Sequence, residues 1–263
     1  MAGIYIHIPF CKSRCIYCGF YSTTLLDLRK KYINAVCREM ELRKNYIREP
    51  FSTIYLGGGT PSLLDEAELT KLFLYINNVY DVDRNAEITM ECNPDDITPE
   101  FTNMLSRLSI NRVSMGAQTF ADSRLRLLHR RHNSDEVKHA VKLLREAGIK
   151  NISIDLMFGF PDESLSQWKE DISAAFAINV EHISAYSLMY EEDTPLWKML
   201  DTGKVKEIDE GLSLTMFKEL VCQLTDAGYE HYEISNFARP GYRSRHNSSY
   251  WHQVPYIGLG AAA

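Results

Sequence analysis

Seven short runs rich in β-branched and aromatic residues recur along the chain, at 4–8, 53–56, 87–91, 112–115, 152–156, 182–187 and 230–234. Between most of them lie segments of helical period. Leu69, Leu72, Phe73 and Ile76 step by three and four, as do Val137, Ala140, Val141 and Leu144, and later Leu212, Met216, Leu220 and Leu224. Strand then helix, repeated about six times, requires parallel strands joined by crossover helices, because parallel neighbours cannot be joined by a tight turn. The expected fold class is α/β, with the sheet either open and doubly wound or curved into a barrel. Polar and glycine-rich residues follow several different strands rather than one switch point, which favours a barrel whose mouth gathers its site from many strand ends.

Helix edges carry their own signals. Thr98 followed by Pro99 marks an N-terminus, Ser164 with Gln167 reads as a capping box, and Gly148 and Gly228 follow the last periodic residues. No internal repeat and no Pro/Ser linker divides the chain. A hydrophobic content of 45% with 24% charged residues belongs to a globular chain with a sizeable core. The balance of 29 basic and 35 acidic residues, a net charge of −6, lacks the Lys/Arg stripe that a nucleic acid partner requires. The opening MAGIYIHIPF has neither a charged leader nor a membrane-length apolar run, so no transmembrane segment is expected and the cytoplasm is the expected compartment.

Six cysteines in 263 residues are too few for a disulfide scaffold. Three of them, Cys11, Cys15 and Cys18, form a CxxxCxxC loop directly after the first strand. A structural zinc site would want four closed ligands, and Cys37, Cys92 and Cys222 are scattered singly, most simply as small core residues. Three thiolates do suffice for a four-iron cluster, with one iron left open to a bound molecule. Further along, Gly57, Gly58 and Gly59 precede Thr60 and Pro61. Adjacent glycines let backbone approach a ligand closely, or simply make a tight strand-to-helix turn. Neither a dinucleotide fingerprint nor a Walker lysine pattern is present. Glu91, Gln118, Arg130 and Asp155 lie at or just beyond successive strand ends and together could line one mouth. Glu91 has a second reading as a turn cap with Asn93, and Arg130 as a solvated charge in its HRRH run.

The CKSRCIYC loop after a strand resembles the cluster loop of radical S-adenosylmethionine (SAM) enzymes. That resemblance implies a partial (β/α)6 barrel carrying a [4Fe-4S] cluster on Cys11, Cys15 and Cys18. The open iron would chelate the amino and carboxylate groups of SAM, and electron transfer would cleave SAM to a 5′-deoxyadenosyl radical. The runs GGGTPS, ECNPD, RVSMGAQTF, DLMFGFP and YEISNFA resemble one subgroup, the oxygen-independent coproporphyrinogen III dehydrogenases and their HemW-type haem chaperone relatives. By motif position, Gly57, Gly58, Gly59 and Thr60 would meet the amino group of SAM. Gln118, Arg130 and Asp155 would contact its ribose and carboxylate, with Glu91 and Tyr5 nearby.

Two departures separate this chain from the dehydrogenase branch. Phe20 stands where the dehydrogenase typically has a further cysteine, and the strand begins at residue 4 without the dehydrogenase's N-terminal extension. The HNxxYW sequence of His246, Tyr250 and Trp251 resembles the haem-associated signature of the chaperones, with His246 as the candidate axial ligand and His7, His182, His231 and His252 as competitors. Imidazole suits haem iron and aromatic rings pack on a porphyrin plane. The resemblance therefore implies haem or another porphyrin as partner, with haem-accepting apoproteins and an electron donor. Its alternative is radical decarboxylation of coproporphyrinogen III propionates to vinyl groups. The expected organisation is a partial barrel over 1–235 and, over 236–263, the start of a C-terminal region whose mainly helical remainder is largely missing from a chain ending in GLGAAA.

Overall fold

Six parallel strands, each followed by at least one helix, form the body of the computed structural model, which describes residues 1–263. In chain order they are β1 (Ala2–Ile8), α1 (Arg29–Leu42), β2 (Phe51–Gly58), α2 (Glu66–Val79), β3 (Val82–Cys92), α3 (Pro99–Arg107), β4 (Arg112–Gln118), α4 (Asp122–Leu127), α5 (Ser134–Glu146), β5 (Asn151–Phe158), α6 (Leu165–Ile178) and β6 (His182–Ser187). Then come α7 (Pro195–Asp201), α8 (Glu210–Asp226), β7 (Glu230–Glu233), β8 (Asn236–Ala238), α9 (Arg245–Trp251) and β9 (Tyr256–Leu259). The sheet order is β7-β8-β6-β5-β4-β3-β2-β1-β9. Because β1 to β6 follow one another without reversal, there is no switch point, and the sheet is the partial barrel rather than the doubly wound alternative.

Two features depart from the sequence expectation. Nine strands are present instead of seven. The seventh run does not add another parallel strand: β7 pairs with β8, and β8 with β6, in antiparallel fashion. Ile234 lies in the β7–β8 turn and is 69% exposed despite its β-branched side chain, because strand pairing ends at Glu233 opposite Asn236. At the opposite edge β9 runs parallel beside β1.

The period of two along each strand separates core from site. On one face Ile4, Ile6 and Ile8, Ile54 and Leu56, Val113 and Met115, and Ile152 and Ile154 are buried against the helices. Each contributes about 1.5–3 kcal/mol by leaving water. The other face carries Tyr5, Tyr55, Glu91, Ser114, Asp155 and Ser184 into the barrel interior, which is therefore polar. The helix signals hold in detail: Thr98 and Ser164 cap α3 and α6, the latter with Gln167 in a reciprocal box, and Gly148 and Gly228 both take φ +85°. Cys37 and Cys92 are buried as expected, but Cys222 is exposed on α8 beside Asp226, because it falls off the Met216–Leu220–Leu224 stripe.

Candidate functional site

The loop after β1 is fixed at several points before its cysteines are reached. Cys11 N donates to Thr23 O at 2.9 Å, and Ile16 N donates to Leu128 O while Ile16 O accepts from Leu196 N. The Ile16 side chain is buried in a small apolar cluster with Leu128, Met157, Phe160, Leu188 and Leu196. Anchored in this way, Cys11, Cys15 and Cys18 are all free, half-buried thiols on the wall of one cavity of about 180 Å³. Gly58, Gly59, Thr60, Glu91, Gln118, Arg130 and Asp155 line the same cavity. It opens into a second of about 520 Å³ that shares Cys18, Phe20, Glu91, Gln118 and Asp155 and reaches Tyr55, Ser184 and Asn247.

Two thiols have polar neighbours. Arg130 Nη1 lies 3.4 Å from Cys15 Sγ, and Thr60 Oγ1 lies 3.6 Å from Cys11 Sγ. Burial pushes the Cys18 thiol up from its ordinary pKa. No three metal-ligating side chains converge on a single-ion centre, whereas a mononuclear zinc site would draw its sulfurs to about 2.3 Å from one point. Thiols spread around a common cavity, with a guanidinium beside one of them, fit a larger anionic iron–sulfur core, which takes one thiolate per corner.

The carboxyls are held in the interior by hydrogen bonds. Tyr55 Oη donates to Glu91 Oε1 at 2.8 Å and Gly58 N to Glu91 Oε2 at 3.1 Å. Ser114 Oγ lies 3.4 Å from Asp155 Oδ1. Burial, reinforced by the nearby Asp155 charge, raises Glu91 to a pKa of about 7. Burial likewise raises Asp155 to about 6, opposed chiefly by Arg112. Arg130 Nη2 donates to Asn93 Oδ1 and to Gly116 O, each at 2.7 Å, so it is no solvated charge. Gln118 sits at φ +67° at the end of β4. Within the glycine triplet, an added Cβ at Gly58 would stand 2.6 Å from the His7 ring, and one at Gly59 would stand 2.9 Å from Phe10 O. The triplet thus lets the end of β2 lie against β1 and the cysteine loop.

Tyr5 and Gly57 face the same interior: Tyr5 Oη is 3.1 Å from His7 Nδ1, and a Cβ at Gly57 would meet Tyr55, Glu91 and Tyr5. Phe20 is 69% exposed at the rim of both cavities. Of the HNxxYW residues, Asn247 reaches the larger cavity that also holds Cys18, whereas His246, Tyr250 and Trp251 line neither cavity. His246 is 1% exposed, with Nδ1 2.8 Å from Thr53 Oγ1 and Nε2 2.9 Å from Tyr250 Oη. Its backbone N–H donates to Glu87, near the N-terminal halves of the strands. Burial, with Arg112 adding to it, lowers its pKa to about 4. Tyr250 and Trp251 are exposed. Among the competing histidines, His7 and His182 are buried and hydrogen-bonded, His231 stacks on Phe237 at 4.3 Å, and His252 is exposed. The sequence reading missed Ser114, Ser184 and Asn247 as cavity residues. Alternation along β4 and β6 marks the two serines, whereas nothing local marks Asn247.

Residues 5–175 match the radical SAM superfamily. Heme chaperone HemW of Bacillus subtilis is 36% identical over 266 residues, covering 100% of this chain and 70% of that protein. The chain belongs to the HemW family of radical SAM proteins. Heme chaperone HemW of Synechocystis is 37% identical, covering 98% of this chain and 64% of that protein, and the Escherichia coli protein of the same name is 34% identical over 99% and 69%. The chain thus spans about two thirds of the length of these HemW relatives. Among solved structures, coproporphyrinogen III oxidase (HemN) from Escherichia coli, described as a radical SAM enzyme, superposes with a TM-score of 0.86 at 23% identity, over 100% of this chain and 64% of that one. Streptococcus suis SuiB bound to S-adenosylmethionine superposes with 0.58 at 13% identity, over 99% and 51%. At such identities the two structures show the fold alone, which this chain shares. No helix is long and apolar enough to cross a membrane.

Proposed function

We propose that this chain is the radical SAM barrel of a cytoplasmic haem chaperone, holding a [4Fe-4S] cluster on Cys11, Cys15 and Cys18 with SAM beside it. The observation that carries the reading is the single cavity that collects the three thiols with Glu91, Gln118, Arg130 and Asp155. When bound, the cluster supplies a Lewis-acid iron and an electron from a donor protein. The chain's own residues bind and orient. Arg130 presents a fixed guanidinium suited to the SAM carboxylate, and Asp155, Glu91 and Gln118 accept from ribose and amino groups. Gly57, Gly58, Gly59 and Thr60 admit the methionine end of SAM to the backbone, and Tyr5 and Phe20 bound its space.

Haem is the proposed cargo, passed on to acceptor apoproteins. Residues 236–263 are proposed as the start of the C-terminal region that contacts it, with Tyr250 and Trp251 offering exposed aromatic faces. His246 reaches iron once α9 lifts from the sheet, since both of its ring nitrogens are engaged while it is docked. Phe20, in place of a further cysteine, argues against radical decarboxylation.

Anaerobic reconstitution, iron and sulfide counting, and haem titration test the proposal. About four irons per chain, lost on changing any of the three cysteines to Ala, and a Soret band without vinyl product from coproporphyrinogen III are expected. Iron retained by the triple Cys→Ala variant would overturn the cluster assignment. Vinyl product would overturn the choice of carrier over enzyme.

A further inference from the structure

Asp96, in the tight turn after β3, is a buried carboxylate with its side chain 4% exposed. Its Oδ1 accepts from Lys12 Nζ at 3.0 Å, and Lys12 stands between Cys11 and Cys15. Its Oδ2 accepts from Arg131 Nη2 at 3.0 Å, one residue from Arg130, and from Ser62 Oγ at 2.8 Å, which follows the glycine triplet. Ser62 Oγ in turn accepts from Asn93 N at 3.2 Å, and Asn93 Oδ1 accepts from the guanidinium that lies beside Cys15. One carboxylate therefore joins the three segments that build the thiol cavity while lying outside its wall.

We infer that Asp96 is a positioning residue that sets the cysteine loop, the Ser62 turn and the Arg130 segment against one another as a preformed cradle for the cluster. The inference rests on the proposed cluster reading. A buried charge satisfied by two cations and a hydroxyl holds its partners in one arrangement, and loss of that charge leaves the cations without a common anchor. Asp95 supplies the comparison, because it pairs with Arg131 at 2.7 Å without reaching Lys12 or Ser62.

Hydrogen exchange on the metal-free chain is the direct test, on Asp96→Asn, Asp95→Asn, Asp96→Glu and Lys12→Met; Lys12 is 49% exposed, so its replacement does not threaten folding. Asp96→Asn and Lys12→Met should speed exchange across 11–18 by about ten-fold, the scale of one lost hydrogen bond to a charged group acting on local opening. Exchange in β5 and β6 should stay unchanged, with Asp95→Asn weaker and Asp96→Glu partly restored. Unchanged exchange at 11–18 in Lys12→Met overturns the inference. On reconstituted protein, Asp96→Asn should lower iron retention by about ten-fold after dilution and broaden the electron paramagnetic resonance change that SAM produces in the wild type. Retention and spectrum equal to wild type overturn the inference while leaving the cluster reading intact. A wild type that takes up no iron overturns the cluster reading, and the exchange data still decide the cradle.

Discussion

Arg130 Nη1 lies 3.4 Å from Cys15 Sγ while Nη2 of the same guanidinium donates to Asn93 Oδ1 and Gly116 O at 2.7 Å each. Two fixed acceptors, one in the turn just past β3 and one on β4, thus aim one positive fork at the thiol cavity. A lysine is a point charge on a flexible stem and cannot hold two such acceptors and the thiol together. Arg130→Lys is therefore expected to weaken SAM binding to the reconstituted protein by at least about ten-fold, because hydrogen bonds to charged groups are worth about 1.5–3 kcal/mol. Anaerobic calorimetric titration measures it, and affinity equal to wild type would remove Arg130 from the carboxylate site.

Asp155 and Glu91 make binding and stability respond to pH in opposite directions. Both acids keep their protons in the folded barrel, to about pH 6 for Asp155 and about pH 7 for Glu91, after the unfolded chain has lost its own near pH 4. The folded state then binds more protons than the unfolded one, so their contribution to stability falls as pH rises through that window. Asp155→Asn, which cannot ionise, should gain on the order of 2 kcal/mol over the parent between pH 4 and pH 7 in urea unfolding. Over the same window SAM binding to the parent should tighten, since a carboxylate accepts ribose hydroxyls better than its acid does. A flat difference between parent and variant would contradict the burial of Asp155.

Gly58 and Gly148 both lie at positive φ, yet their replacement should differ in kind. At Gly148 an added Cβ meets nothing within 4 Å, so Gly148→Ala costs only the left-handed penalty, about 1 kcal/mol. At Gly58, φ is +112° and the Cβ would stand 2.6 Å from the His7 ring, which is itself held by Tyr21 O and Tyr5 Oη. Gly58→Ala should therefore cost at least about 2–4 kcal/mol, strain and overpacking together. Urea midpoints of the two variants decide it.

These contrasts indicate what a one-dimensional reading reaches. Strand–helix alternation and the caps at Thr98 and Ser164 are local signals, and local signals carried the barrel. β8 spans three residues and β9 four, one of them Gly258. Segments so short hold little pattern, and pairing at the sheet's two edges, not propensity, makes them strands. The residues facing the cavity were legible where a motif named them, as with Glu91, Gln118 and Asp155. Asp96 was not, because its partners stand 34, 35 and 84 positions away and no spacing announces such a meeting. His246 shows the reverse limit: a motif marks the residue but says nothing of its being locked beneath the barrel.

That locking leads to a test of the haem proposal which does not remove the candidate ligand. His246 is neutral when docked, its pKa lowered to about 4. The contribution of docking to stability is therefore present above pH 6.5 and fades as pH falls through about 4, since the freed imidazole takes up a proton more readily. Thr53 Oγ1 and Tyr250 Oη engage its two nitrogens, so under the haem proposal iron ligation would compete with docking, and haem affinity would be reduced by the fraction of chains still docked. Thr53→Val removes one hydrogen bond of about 1 kcal/mol without touching His246. Haem should bind to this variant about five-fold more tightly at pH 7 by Soret titration, and the gain should vanish in Thr53→Val combined with His246→Ala. A gain that survives the loss of His246 would assign the iron to another ligand, His252 being the exposed alternative.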